Sequence, residues 1–231
     1  MIKKYYINMD RSKDRNEIML KNHKDITRIE AYDGDKIDSY SNIILPKKCS
    51  QSVYELCCSL SHLKTIFTAL NNGDKGAIIF EDDIVDIYSK LWTESINDII
   101  NNAPNKTECI QLFPGNPKIL KENIKSNLKY IKWHKKSHGT LCYYISNKGM
   151  KKLFNLFYKN NQIDLSIKLK NYVADNGIIY NNLKTYIYSK PLFINYVFSS
   201  TILKEEISKS YLRRSKIDDE IHNIIKHYFE K

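Results

Sequence analysis

An α/β domain with a mostly parallel central sheet flanked by helices is the fold class this sequence predicts. Three observations predict it. Short runs rich in β-favouring residues alternate with helical patterns from residue 3 to about residue 197, the order that builds a parallel sheet. Ala77-Ile78-Ile79-Phe80 is short, uniformly apolar and bounded by Gly, as expected of a strand buried on both faces. From about Ser52 to Asn72, the residues Val53, Leu56, Cys57, Leu60, Leu63, Phe67 and Leu70 recur at three- and four-residue steps, one apolar helical stripe.

In chain order, Lys3 to Asn8 make the first strand. Ser12 is placed to cap a helix from Lys13 to about His23. A strand passing directly into a helix start leaves backbone N–H groups that can hold phosphate or a nucleotide. Arg11 and Arg15, four apart, share a face once the helix has begun; two solvated surface arginines are the plainer reading. Ile26 to Ala31 alternates as a second strand and runs into Tyr32-Asp33-Gly34. That is either a simple turn or a device that brings Asp33 to the same sheet edge as Asn8. Residues 35–50 read as an irregular loop, and Asn71-Asn72-Gly73 ends the long helix. Within that helix Ser61 and His62 sit beside the apolar stripe, and a lone helical histidine is more often structural or solvated than a ligand.

The apolar strand runs into Glu81, Asp82 and Asp83. Carboxylates where a buried strand ends lie at the mouth of a site, outside the carboxyl edge of the sheet. Packed so closely they repel one another unless a cation is present. A hard divalent metal with oxygen ligands suits them. A polar loop after a core strand is the alternative. If the acids stay extended, Glu81 and Asp83 point one way and Asp82 the other.

Tyr88 to Ile100 reads as one helix that ends near residues 101–104. Cys109 to Phe113 and Leu128 to Trp133 are strands, with residues 114–137 otherwise a loop. His138 to Ser146 is a further strand, and Asn147 caps a helix to about Tyr158. Asp175 is the next acid in apolar company, within Tyr172-Val173-Ala174-Asp175-Asn176-Gly177. Thr185 to Tyr188 and Leu192 to Val197 are short strands. The tail from Ser215 to Lys231 is amphipathic, through Ile217, Ile221, Ile224, Ile225 and Tyr228, and suits docking on the domain or on a partner.

The totals narrow the class. A chain of 231 residues buries one substantial core, and 42% hydrophobic with 27% charged residues is the composition of a globular protein. No apolar run is long enough to span a membrane, and the first residues lack a signal-peptide core, so a cytoplasmic location is expected. Five cysteines, odd in number and mostly in apolar surroundings, read as reduced thiols, and none has zinc-site spacing. The net charge of +11 fits an anionic ligand such as a nucleotide diphosphate. It would equally fit nucleic acid or a membrane surface, but no nucleic-acid motif accompanies it, and nucleic acid is not expected as a partner.

Several of these pieces together resemble glycosyltransferase family 25, which contains the lipooligosaccharide and the collagen galactosyltransferases. Tyr6-Ile7-Asn8-Met9-Asp10-Arg11-Ser12 with Arg15 resembles that family's INLDRS opening. Ala31-Tyr32-Asp33-Gly34 is similar to its AxDG, Leu60-Ser61-His62 to its SH motif, and Ile79-Phe80-Glu81-Asp82-Asp83 to its LEDD. Gly139 to Ser146, with the helix from Gly149, resembles its G..aYliS segment. Ala174-Asp175 and Tyr186 to Phe193 look most like relatives encoded by large DNA viruses. The matched order spans roughly residues 4–193. It departs from the family at Cys57-Cys58, where a Gly-Cys is usual, and after about residue 200.

The resemblance implies a GT-A type, Rossmann-like domain over residues 1–200 with a helical tail over 201–231. It implies inverting transfer of a hexose, typically galactose, from a UDP-sugar to a hydroxyl on a glycan, glycolipid or collagen-like protein. Mn2+ or Mg2+ is the implied cofactor, held by Asp83. Asn8, Arg11, Arg15, Asp33, His62, Glu81 and Asp82 are the implied donor-side residues. Asp175 is the candidate base, with a helix-start carboxylate or a second metal ligand as alternatives. UDP-glucose or UDP-N-acetylglucosamine as donor, and a relative that binds without catalysing, are the competing readings.

Overall fold

The computed structural model describes residues 2–195 and 209–230. The first half of the chain contains β1 (Lys3–Asn8), α1 (Lys13–Asn22), β2 (Ile26–Glu30), β3 (Ile43–Ile44), α2 (Val53–Asn71), β4 (Gly76–Glu81), β5 (Ile84–Val85) and α3 (Ile96–Asn101). The second half adds β6 (Cys109–Gln111), α4 (Pro117–Lys125), β7 (Tyr130–Lys132), β8 (Cys142–Ser146), α5 (Asn147–Phe157), β9 (Tyr158–Lys159) and β10 (Gln162–Asp164). A π-helical turn at Ala174–Ile179, then β11 (Thr185–Tyr188), β12 (Ile194–Asn195) and α6 (Lys209–Phe229), complete it.

The seven-stranded central sheet has the order β2-β1-β4-β8-β6-β11-β7. β1 pairs in parallel with both β2 and β4, and β11 in parallel with β6. β8 lies antiparallel between β4 and β6, and β7 antiparallel on the far edge. The sheet is therefore mostly parallel, with β7 and β8 opposed to the other strands. Small ribbons, β3-β10-β9 and β12-β5, flank it.

Strand alternation feeds a core on each face. Tyr5, Ile7, Ala77, Ile79, Cys109, Tyr143 and Ile145 pack with α2 and α5 on one side. Tyr6, Ile78, Phe80, Ile110 and Cys142 pack on the other with Met19 of α1, Leu120 of α4 and Ile221 and Ile225 of α6. The same parity sends Glu81 to the α2 face and Asn8 to the α1 face. The position of the functional side chains follows from this.

Several local expectations are corrected. Ser12 precedes α1 but makes no side-chain cap bond. Tyr88 to Ile100 is not one helix: Ser95 and Asp98 form a capping box that starts α3 only at Ile96, leaving a 3-10 turn at Ser89–Leu91 before it. The stretch 114–137 contains α4, started by the Asn116 side chain with Pro117 in the first turn. α5 is capped by Ser146, which accepts from the Gly149 amide, rather than by Asn147. Residues 35–50 are not wholly irregular, since they hold most of a 3-10 turn (Gly34–Ser39) and β3. Strand pairing in the last stretch is limited to Ile194–Asn195, with residues 196 and 197 outside the described ones.

α2 is buried more widely than a stripe. Ser59, Ser61, His62 and Thr65 are buried along with its leucines, because the helix packs against the sheet, α5 and the π-helical turn. Its hydroxyls are satisfied locally: Ser61 donates to Cys57 O and accepts from the Tyr32 amide, and Thr65 donates to Ser61 O.

Candidate functional site

The carboxyl ends of β1 and β4 carry two polar groups that the sheet parity separates. On the α1 face, Asp82 is 8% exposed and both its oxygens are engaged. Arg15 donates to Oδ1 at 2.8 Å and Asn8 Nδ2 donates to Oδ2 at 2.7 Å. Asn8 is oriented in turn by Arg28, whose Nε donates to Asn8 Oδ1 at 2.9 Å. Burial pushes the Asp82 carboxyl above its ordinary value, against the pull of Arg15 and Asn8. Asp33 begins the 3-10 turn, accepting from the Asp35 amide, and pairs with Arg11. Partial burial works to raise its pKa, but Arg11 and the Asp35 amide outweigh it and hold it below the ordinary carboxylate value.

On the α2 face stands Glu81. Its Oε1 accepts the Thr140 hydroxyl at 2.8 Å, and His62 Nε2 is 3.5 Å from the same oxygen, outside hydrogen-bond geometry. His62 is fully buried, with Nδ1 3.1 Å from the Tyr143 hydroxyl. Burial pushes that phenol well above its ordinary pKa, so it stays a neutral partner.

Glu81 lines a cleft of roughly 520 Å3, within the range of small-molecule sites. The same cleft is lined by Asp175, at the start of the π-helical turn, with its Oδ2 accepting from the Gly139 amide at 2.8 Å and its Oδ1 from the Asn176 amide. Glu55 from α2 and Asp218 from α6 add carboxylates, and Leu141, Val173, Ile217 and Ile221 add apolar surface. Among the described residues no lysine or arginine lines this cleft, despite a chain charge of +11. An anion lying there would need a cation beside it.

Asp82 and Asp83 form the turn that joins β4 to β5, so the three acids do not continue as extended strand. Neither lines the cleft. Among the described residues no group of three or more His, Cys, Asp or Glu side chains could hold a metal by itself.

Asn8, Arg15 and Asp82 thus meet in one network, Arg11 and Asp33 in a second, and Glu81, His62 and Asp175 at or behind the cleft. Sequence reasoning passed over Arg28, Gln111, Thr140, Glu55 and Asp218. Arg28 left one signal, a cation inside an otherwise alternating strand.

Residues 1–167 match the family described as Glycosyltransferase family 25 (LPS biosynthesis protein). The chain belongs to that family. Membership in glycosyltransferase family 25 supports a role in glycosyl transfer. No curated protein matches the chain. Among solved structures, this family 25 chain is similar to A197 from STIV, at 9% identity, covering 87% of each chain with a TM-score of 0.44. It is also similar to a glycosyltransferase involved in the glycosylation of the major capsid of PBCV-1, at 10% identity, covering 96% of this chain and 98% of that one, with a TM-score of 0.43. Likenesses that distant assign no activity. Among the described residues, no helix is long and apolar enough to cross a membrane.

Proposed function

We propose that this chain transfers galactose from UDP-galactose to a hydroxyl of a glycan, glycolipid or protein acceptor, with inversion, on a domain of GT-A type. One observation carries the reading: Glu81 and Asp175, far apart in sequence, line one cleft at the carboxyl edge of the sheet in a family 25 chain. Open α/β sheets bind ligands at that edge.

In the proposed reaction the acceptor oxygen attacks the anomeric carbon from the face opposite UDP. The new C–O bond forms as the bond to the diphosphate oxygen breaks, and UDP leaves with the electron pair. Asp175 takes the acceptor proton, oriented for it by the Gly139 and Asn176 amides. On the donor side, Asn8 and Arg15 fix Asp82, Arg11 and Asp33 edge the nucleoside pocket, and His62 braces Glu81 from behind. Asp83, in the β4–β5 turn and outside the cleft lining, would hold Mn2+ or Mg2+, and such a cation would supply positive charge against the charge developing on the leaving UDP.

The test is UDP release from UDP-galactose, UDP-glucose and UDP-N-acetylglucosamine by the purified chain and by Asp175→Asn. The reading expects UDP-galactose to be turned over fastest, and Asp175→Asn to lose turnover while keeping UDP affinity. Equal loss of UDP affinity would make Asp175 a donor-site residue instead.

A further inference from the structure

The loop from Ser137 to Thr140 touches two of the carboxylates that line the cleft, Asp175 and Glu81, and does so through neighbouring residues. The Gly139 amide donates to Asp175 Oδ2 at 2.8 Å, and the Thr140 hydroxyl donates to Glu81 Oε1 at 2.8 Å. Any shift of this short segment therefore moves both acids together.

The segment is fixed from beneath by one buried amide. Gln111, the last residue of β6, is 0% exposed. Its Nε2 faces the carbonyl oxygens of Ser137 at 3.3 Å, His138 at 3.2 Å and Gly139 at 2.9 Å. Its Oε1 accepts the Ser137 hydroxyl at 2.6 Å. An amide NH2 has two hydrogens, so at least one is shared among these carbonyls. The Ser137 hydroxyl on the other side fixes which way the amide points. Trp133 Nε1 donates to Ser137 O at 2.7 Å and the Tyr180 hydroxyl to Gly139 O at 3.0 Å. The backbone at Gly139 has φ +101, a conformation that favours glycine, and this turns its N–H toward Asp175.

The side-chain chemistry required here is narrow. Gln111 must donate to several carbonyls and accept from a hydroxyl at once. Leucine does neither, and glutamate would set a negative charge against three carbonyl oxygens.

We propose that Gln111 is a positioning residue for the reaction. It locks residues 137–140 so that the Gly139 amide and the Thr140 hydroxyl hold Asp175 and Glu81 in fixed relative positions in the cleft. This rests on the cleft being the site of transfer. Displacing a reacting group by about 1 Å costs roughly a hundredfold in rate, and such a displacement is what release of the loop would allow.

The experiment uses the full chain, with UDP-galactose as donor and water as acceptor. It measures UDP release, UDP affinity by calorimetry and hydrogen exchange at the Gly139 amide. Gln111→Leu is expected to lower turnover roughly a hundredfold and to speed Gly139 exchange. In an Asp175→Asn background the same change should lower turnover far less, because the carboxylate being positioned is already gone. Normal turnover in Gln111→Leu overturns the proposal, as does an equal fold-loss with and without Asp175.

If Gln111→Leu does not fold, the smaller changes Thr140→Val and Ser137→Ala decide. Each should reduce turnover, and normal turnover in both overturns the proposal. A wild-type chain that neither binds nor releases UDP would defeat the transfer reading instead. The clamp would then be judged by Gly139 exchange in Ser137→Ala, and unchanged exchange would overturn it.

Discussion

Replacing Arg15 with Met removes the cation from a pair that the fold has taken out of water. Both side chains are about 10% exposed, and the Arg15 Nη1 to Asp82 Oδ1 distance is 2.8 Å. An exposed pair of this kind contributes about 0–1 kcal/mol. Breaking a buried one from one side costs about 3–5 kcal/mol, because the remaining charge stays buried. Asp82 would keep only the Asn8 bond, so the larger figure applies. For a chain of this size it corresponds to a fall in Tm of roughly 6–20 °C.

The loss should also depend on pH. Burial already raises the Asp82 pKa above its unfolded value, and losing Arg15 raises it further. A carboxyl with a raised folded pKa contributes fully to stability below its unfolded value, and that contribution is lost as pH climbs through the folded one. The cost of Arg15→Met is therefore smallest in acid, below about pH 4, and largest at neutral pH. Urea denaturation followed by circular dichroism at both pH values measures it. Asp82→Asn in the same background should recover part of the loss, since a neutral amide tolerates burial better. A neutral-pH loss under about 1 kcal/mol, or one independent of pH, would refute the reasoning.

Other consequences follow from burial. Ile221 is 1% exposed where α6 packs beside α4 and β12, so Ile221→Ala should cost about 2–5 kcal/mol and release amide protection in α6 before the central strands; uniform loss of protection would contradict that docking. Burial pushes the Cys109 and Cys142 thiols well above their ordinary value and Cys57 up to about 12, whereas Cys49 is exposed. A thiol reagent at neutral pH should thus modify Cys49 in the native chain and reach Cys57, Cys109 and Cys142 only in denaturant. Rapid native modification of Cys109 would show that the sheet opens far more readily than its packing implies.

The parts of the fold that periodicity governs were legible in the sequence. α2 falls where its apolar stripe places it, β4 where a uniformly apolar run does, and β1 and β11 where β-favouring residues cluster. Two- and three-residue strands such as β3, β9 and β10 are too short to leave a pattern. α4 had a readable start in Asn116-Pro117, but Pro114-Gly115 and the lysines around it disguised it as loop. The antiparallel insertion of β8 between β4 and β6 is a tertiary choice, and no local pattern specifies it.

The site divides the same way. The runs Asn8 to Arg15 and Glu81 to Asp83 announced themselves as polar groups at the ends of strands, and Asp175 as an acid among apolar residues. That Glu81 faces His62 follows from the parity of β4, whereas the pairing of Asp82 with Arg15 is set by the turn that follows the strand, and both become visible only once the faces are known. Gln111 left no signal, because its partners are backbone carbonyls 26 to 28 residues away.

The most direct test of the central claim is calorimetric titration of the purified chain with UDP, with and without Mn2+, alongside Asp83→Ala. The account predicts binding that requires the metal and disappears in the variant. Binding of equal strength without metal, or retained in Asp83→Ala, would contradict the metal assignment. No binding in any condition would contradict the UDP-sugar transfer reading itself.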